Sequence, residues 1–120
     1  MQKLPFELSD TPHTWFIDLD GTILKHRVRV DGFLTGTNEL LPGAKEFWQS
    51  IPDEDCIVIA TARWEEDKQD IIDFFQSEGL RYDHILVGLK KGERIVINDK
   101  KTDGSNTAFG WNVERNLGFK

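Results

Sequence analysis

TWFIDLDGT, residues 14–22, is the stretch whose reading decides the fold. An apolar run, Trp15-Phe16-Ile17, leads into Asp18-Leu19-Asp20 and breaks at Gly21. The run predicts a strand over 14–19, and Asp-Gly is a strong turn signal. Side chains alternate along a strand, so Asp18 and Asp20 share one side while Leu19 takes the other. Both carboxylates then lie at the carboxyl end of a buried strand, the edge where open α/β sheets bind ligands. Gly21 lets the chain turn sharply because it tolerates positive φ. The competing reading is a hairpin, with Asp20 as the first turn residue. That reading leaves unexplained why Asp18 interrupts the apolar pattern.

Downstream, apolar runs and helical patterns alternate, which predicts an α/β domain with a largely parallel sheet. Across 23–34, Val28, Val30 and Phe33 alternate with Arg27, Arg29 and Asp31, a period of two that predicts a short hairpin or flap. Leu41-Pro42-Gly43 leads into a helix over 44–50 with Phe47 and Trp48 inward. CIVIA, 56–60, reads as a strand buried on both faces. The pattern over 64–78 predicts a helix with Ile71, Ile72, Phe74 and Phe75 on its apolar face. Glu65, Glu66 and Asp67 favour its first turn, and Gly79 stands at the C-terminal cap position. Further strands are expected at 85–87 and 94–97, the second ending in Asn98-Asp99, with a last edge strand at 107–113.

The chain has 120 residues, the size of a single domain spanning 1–120. Apolar residues make up 38% and charged residues 30%, which is ordinary for a soluble globular protein. No apolar stretch approaches the roughly 18 residues of a membrane span, and the first residues do not read as a secretory signal. The single cysteine, Cys56, reads as a small buried hydrophobe. A cytoplasmic setting is expected. The net charge of −6 argues against a nucleic-acid partner. An anionic substrate then needs local positive charge, from a metal ion or a few placed Lys and Arg.

Three constellations carry chemistry. In the first, Asp18, Asp20, Gly21 and Thr22, an ionised carboxylate can attack phosphorus without a base. A second carboxyl can protonate the leaving alkoxide. Two adjacent carboxylates repel each other and a phosphate dianion, which calls for Mg²⁺. The second constellation is Thr61-Ala62-Arg63, after the run 57–60. Its hydroxyl, backbone N–H groups and planar guanidinium could hold a phosphoryl group or another anionic part of a substrate. The alternative is that Thr61 caps the following helix and Arg63 is solvated. The third is LKKGERIVINDKKTD, 89–103, with Lys90 and Lys91 before a strand and Asn98, Asp99 and Asp103 after it. Asp99 suits a magnesium ligand, Asp103 could orient a lysine or the metal's waters, and either lysine could bind phosphate. Its alternative is a solvated loop of mixed charge.

Taken together, the chain resembles the haloacid dehalogenase-like (HAD) phosphatase superfamily. FIDLDGT at 16–22 matches its first motif, IVIAT at 57–61 its second, and IVIND at 95–99 followed by Asp103 its fourth. The resemblance implies a three-layer, Rossmann-like, mostly parallel sheet with helices on both faces. It implies Asp18 as nucleophile and metal ligand, and Asp20 as acid/base, with the Asp20 backbone carbonyl as second metal ligand. It also implies Thr61 binding the transferring phosphoryl group and Asp99 as third metal ligand. The third-motif lysine is Lys90 or Lys91, and position 98 is Asn where the family often has Gly or Asp. The hairpin takes the place of the family's small flap. The intervening segments are too short for a cap domain, which implies an open site or a cover lent by a partner subunit in a homo-oligomer.

The leading expectation is therefore an Mg²⁺-dependent phosphatase acting on a phosphate monoester of a small metabolite such as a sugar phosphate. Two other functions compete. One is a non-catalytic phosphate-binding or phospho-aspartyl switch module, whose acceptor Asp would end a middle strand. The other is a nucleic-acid 3′-phosphatase, which the acidic balance disfavours. His13, His26 and His84 share no metal-ligand spacing and read as surface residues. Trp64, beside Arg63, is the aromatic that could flank a site.

Overall fold

The structure, a computed structural model, describes residues 3–119. Five strands, two helices and a 3₁₀ turn follow in the order β1 (Thr14–Ile17), β2 (Arg29–Val30), β3 (Phe33–Leu34), α1 (Ala44–Ser50), β4 (Cys56–Ala60), the 3₁₀ turn (Glu65–Asp67), α2 (Lys68–Glu78) and β5 (His84–Leu86). This is an α/β fold. Its main sheet is parallel, with the order β1-β4-β5, and β2-β3 is a separate antiparallel hairpin. Thr14 stands opposite Cys56 and Ile17 opposite Ile59. The partner of β1 is thus a distant parallel strand, and the hairpin reading of Asp20-Gly21 does not hold.

The central strand explains its own composition. Ile57, Val58, Ile59 and Ala60 are all buried, so both faces of β4 are covered. Trp48 of α1 and Phe75 of α2 meet with ring centroids 5.1 Å apart, and both are buried. On α2, Ile71 and Phe75 are buried while Ile72 and Phe74 are half-buried, the stripe the spacing predicts. Gly79 ends the helix at φ +68, a left-handed position that favours glycine.

Asp55 is a buried carboxylate just before β4, and it is fully engaged. It accepts the Trp15 indole N–H at 2.9 Å and the His13 backbone N–H at 3.0 Å. The His13 ring nitrogen Nδ1 lies 3.3 Å from its second oxygen. Burial pushes this carboxyl up, and the Trp15 and His13 hydrogen bonds outweigh it and hold it below its ordinary 3.8. His13 is therefore not a simple surface residue: it ties the segment before β1 to the start of β4.

The C-terminal segment closes the core by backbone contact. Phe119 is buried and stacks on Phe47, with centroids 4.4 Å apart and planes 4° apart. Its amide donates to the Pro42 carbonyl at 2.8 Å. Gly43 and Gly118 make this crossing: a Cβ on Gly43 would strike the Phe119 carbonyl, and one on Gly118 the Pro42 carbonyl.

Two expected strands are absent. Residues 94–97 carry no ladder, and Ile95 and Ile97 are 83% and 92% exposed. Residues 107–113 likewise form no strand. The apolar alternation over 94–97 is real, but a strand exists only through its partner. The free edge of β1 lies across an open groove of about 1190 Å³ whose lining includes Phe16, Asp18, Arg94, Val96 and Asn98. Residues 98–107 instead bond among themselves, through Asn98 to Thr107 at 2.8 Å and the Thr107 hydroxyl to the Asp99 carbonyl. No helix among the described residues is long and apolar enough to cross a membrane.

Candidate active site

The turn after β1 is wound on a single carbonyl. The amides of Thr22, Ile23 and Leu24 all point at the Leu19 oxygen, at 3.0, 2.9 and 3.0 Å. Gly21 sits at φ +88, and a Cβ there would press on the Arg115 stem at 3.1 Å. The Asn116 amide donates to the Gly21 carbonyl at 2.9 Å, so the tail holds the turn from behind.

This turn presents two carboxylates with different partners. Asp18 accepts the Thr22 hydroxyl at 3.2 Å and pairs with Arg94 Nη1 at 3.2 Å. Asp20 is gripped by both edges of one guanidinium: Arg63 Nε to Oδ2 at 2.9 Å and Nη2 to Oδ1 at 2.8 Å. Such a fork-to-fork pair is the strongest form of ion pair side chains make. The Arg63 side chain is 1% exposed and that of Asp20 19%.

Arg63 reaches Asp20 because β4 and β1 run parallel and end together. Thr61 follows β4 directly, and its amide bonds the Leu86 carbonyl at 2.9 Å. Its hydroxyl oxygen accepts the Arg63 amide at 3.0 Å, so Thr61 caps the turn that aims Arg63 rather than α2 itself. Thr61 is buried and Ala62, between the two, is half-buried. Of the two readings of Arg63, the solvated one fails.

The flap supplies the next layer. Its arginines face inward and its apolar residues outward: Val28, Val30 and Phe33 are exposed, while the Arg27 and Arg29 side chains are 11% and 20% exposed. Arg29 pairs with Asp67 at 2.6 Å and lies 3.8 Å over the Trp64 ring. Asp67 also accepts the Trp64 amide at 2.9 Å. Burial raises the Asp67 carboxyl, but Arg29, the Trp64 amide and nearby Arg63 carry it below its ordinary 3.8. Asn38, just past the hairpin, accepts from both Arg27 Nη1 at 2.8 Å and Arg63 Nη2 at 2.9 Å, and its own amide donates to Asp70 at 3.0 Å. Charge on the start of α2 thus holds the flap down.

The third constellation is not assembled with the first two. Lys90, Lys91, Asn98, Asp99 and Asp103 are all exposed. Asp103 turns onto Ser105, accepting its amide at 2.9 Å and its hydroxyl at 2.6 Å, and these bonds lower its carboxyl from 3.8. Neither lysine meets Asp18, and Arg94 takes that place. Among the described residues, no group of three or more His, Cys, Asp or Glu side chains is placed to hold a metal ion. Asp18 and Asp20 each face an arginine, and Asp99 is not gathered with them. The magnesium set that the resemblance implies, the Asp18 and Asp99 carboxylates with the Asp20 backbone carbonyl, is therefore not assembled around Asp99 as the residues are placed.

Asn38, Asp70 and Arg94 are parts of the site that the motifs did not single out. Arg94 sat within the quoted third constellation as its one arginine. The alternation across 23–34 had put Arg27 and Arg29 on one face, but nothing local said that this face turns inward. Comparison with family models, with curated proteins and with solved structures finds no match to this chain.

Proposed function

We propose that this chain is a phosphohydrolase acting on a phosphate monoester of a small metabolite, such as a sugar phosphate. One observation supports it above the rest. Two carboxylates two residues apart end β1, and Thr61 and Arg63 end its parallel neighbour β4, with Arg63 bridging the strand ends through Asp20. A carboxylate nucleophile, a second carboxyl for proton transfer and anion-binding donors then share one sheet edge.

In this reading an Asp18 oxygen forms the new bond to phosphorus as the bond to the ester oxygen breaks. Asp20, protonated from solvent once it has left its ion pair, gives that proton to the leaving oxygen. Water then attacks the aspartyl phosphate, and Asp20 takes the proton back, releasing inorganic phosphate and free Asp18. Two side chains must move first. Asp20 leaves the Arg63 fork, which frees Nε and Nη2 for phosphoryl oxygens, and Arg94 leaves Asp18. The HAD-type three-layer arrangement, the absence of a cap and magnesium as cofactor belong to the proposal on the strength of the motifs. No step runs through the metal, because Asp99 is not gathered with Asp18.

The test is hydrolysis of a chromogenic aryl phosphate with Mg²⁺. EDTA abolishes turnover, and Asp18→Asn lowers it by at least ~10³-fold, as removal of a nucleophile does. Undiminished turnover by Asp18→Asn overturns the mechanism. Stable phosphorylation without turnover would favour the switch module. The acceptor of that module ends a middle strand, whereas the Asp pair here follows the first strand of the chain.

A further inference from the structure

One buried donor in the site has no partner. Arg63 Nη1 makes no hydrogen bond, although its side chain is 1% exposed. An orphaned charged donor at that depth is costly, and well-formed interiors do not leave it so without a reason. It points toward Asp70 Oδ2, 3.6 Å away. The same oxygen is 3.3 Å from Arg27 Nη1 and 3.0 Å from Asn38 Nδ2. Three donors from three segments therefore converge on one carboxylate oxygen, and two of them sit at long range. The Asp70 side chain is itself 55% exposed, so it can swing into water at little cost.

We infer that this point is an anion subsite, and that Asp70 is an internal stand-in for a carboxylate or phosphate carried by the substrate. Arg27 Nη1, Arg63 Nη1 and Asn38 Nδ2 are its donors. A substrate oxyanion can approach from solvent as Asp70 withdraws, and it can give the buried nitrogen the bond Asp70 does not make. Charge balance agrees. Arg27, Arg29 and Arg63 face Asp20, Asp67 and Asp70, so departure of Asp70 leaves one positive charge to be met. The ligand's identity rests on the phosphohydrolase reading: the substrate is a phosphate monoester bearing a second anionic group. The donor set does not depend on that reading.

The test uses the full chain, labelled with ¹⁵N, and follows the Arg27 Nε and Asn38 Nδ2 side-chain signals. Malonate and inorganic phosphate are the two probes. Saturable shifts of both signals are expected with at least one probe. Malonate alone assigns a carboxylate, phosphate alone a second phosphate, and both the shared oxyanion chemistry. Asp70→Ala removes the competing charge and tightens binding by about tenfold, while Arg27→Gln weakens it by at least as much. Asp70→Asn, which keeps the shape without the charge, shifts affinity in the same direction and serves if Asp70→Ala does not fold. A purely structural latch gives the opposite pattern: no shifts at these two groups, or an affinity unchanged or reduced in both Asp70 variants. Either result overturns the subsite. Hydrolysis by Asp18→Asn reports separately on the phosphohydrolase reading.

Discussion

Asp18 and Asp20 are two residues apart, yet they sit in unlike surroundings. Asp20 meets a buried arginine through two hydrogen bonds, and that arginine is anchored to the flap by Asn38. Asp18 meets Arg94 through one contact, with side chains 32% and 41% exposed, and Arg94 leads into an exposed segment. Both are arginine–carboxylate pairs, but they differ in geometry, a fork at 2.8 and 2.9 Å against one contact at 3.2 Å, and in access to water. A buried pair broken from one side leaves an uncompensated charge, whereas an exposed pair is screened on all sides. The difference shows that one end of β1 has a finished flank and an unfinished one.

The largest effect that can break this contrast comes from Arg63. Arg63→Met leaves Asp20 without its fork and lowers stability by about 3–5 kcal/mol in a urea unfolding curve. A loss below about 1 kcal/mol removes the distinction between the two flanks. Acidification acts on the finished flank next. The Asp67 carboxyl is lower in the folded chain than in the unfolded one, so its contribution is complete above the ordinary value of 3.8. It disappears as pH falls through the lower folded value. Asp55 has the same sign. The urea midpoint therefore drops below about pH 4, and Arg29→Ala makes that drop smaller by removing one cause of the Asp67 shift.

The smallest effects belong to the other flank. Arg94→Gln changes stability by about 0–1 kcal/mol, the range for exposed pairs. Ile97→Ser changes it by less than about 0.5 kcal/mol, since surface substitutions away from packed features do little. A loss of 2 kcal/mol or more at Ile97, on the order seen for core residues, shows 94–97 packed in solution, and the unfinished flank is then finished.

Legibility in the sequence followed the range of the interaction that fixes each part. The strand Cys56–Ala60, the helix Ala44–Ser50 and the cap at Gly79 depend on patterns within a few residues, and all were readable. The Asp18 and Asp20 turn was readable for the same reason. Residues 94–97 carry the pattern of a strand, but the pattern does not contain the neighbour that would make it one. The flap alternation was readable, yet its inward face was not, because Asp67 and Asp70 on α2 decide it. The crossing of Gly43 with Gly118 joins remote segments and leaves no local trace.

The inverted hairpin has a consequence for solution behaviour. Its hold on the body of the protein is ionic, and its greasy side already faces water. Raising the concentration of a strongly hydrated salt such as ammonium sulfate therefore pulls the molecule in two directions. Screening loosens the flap, while exclusion of the salt from apolar surface tightens the core beneath it.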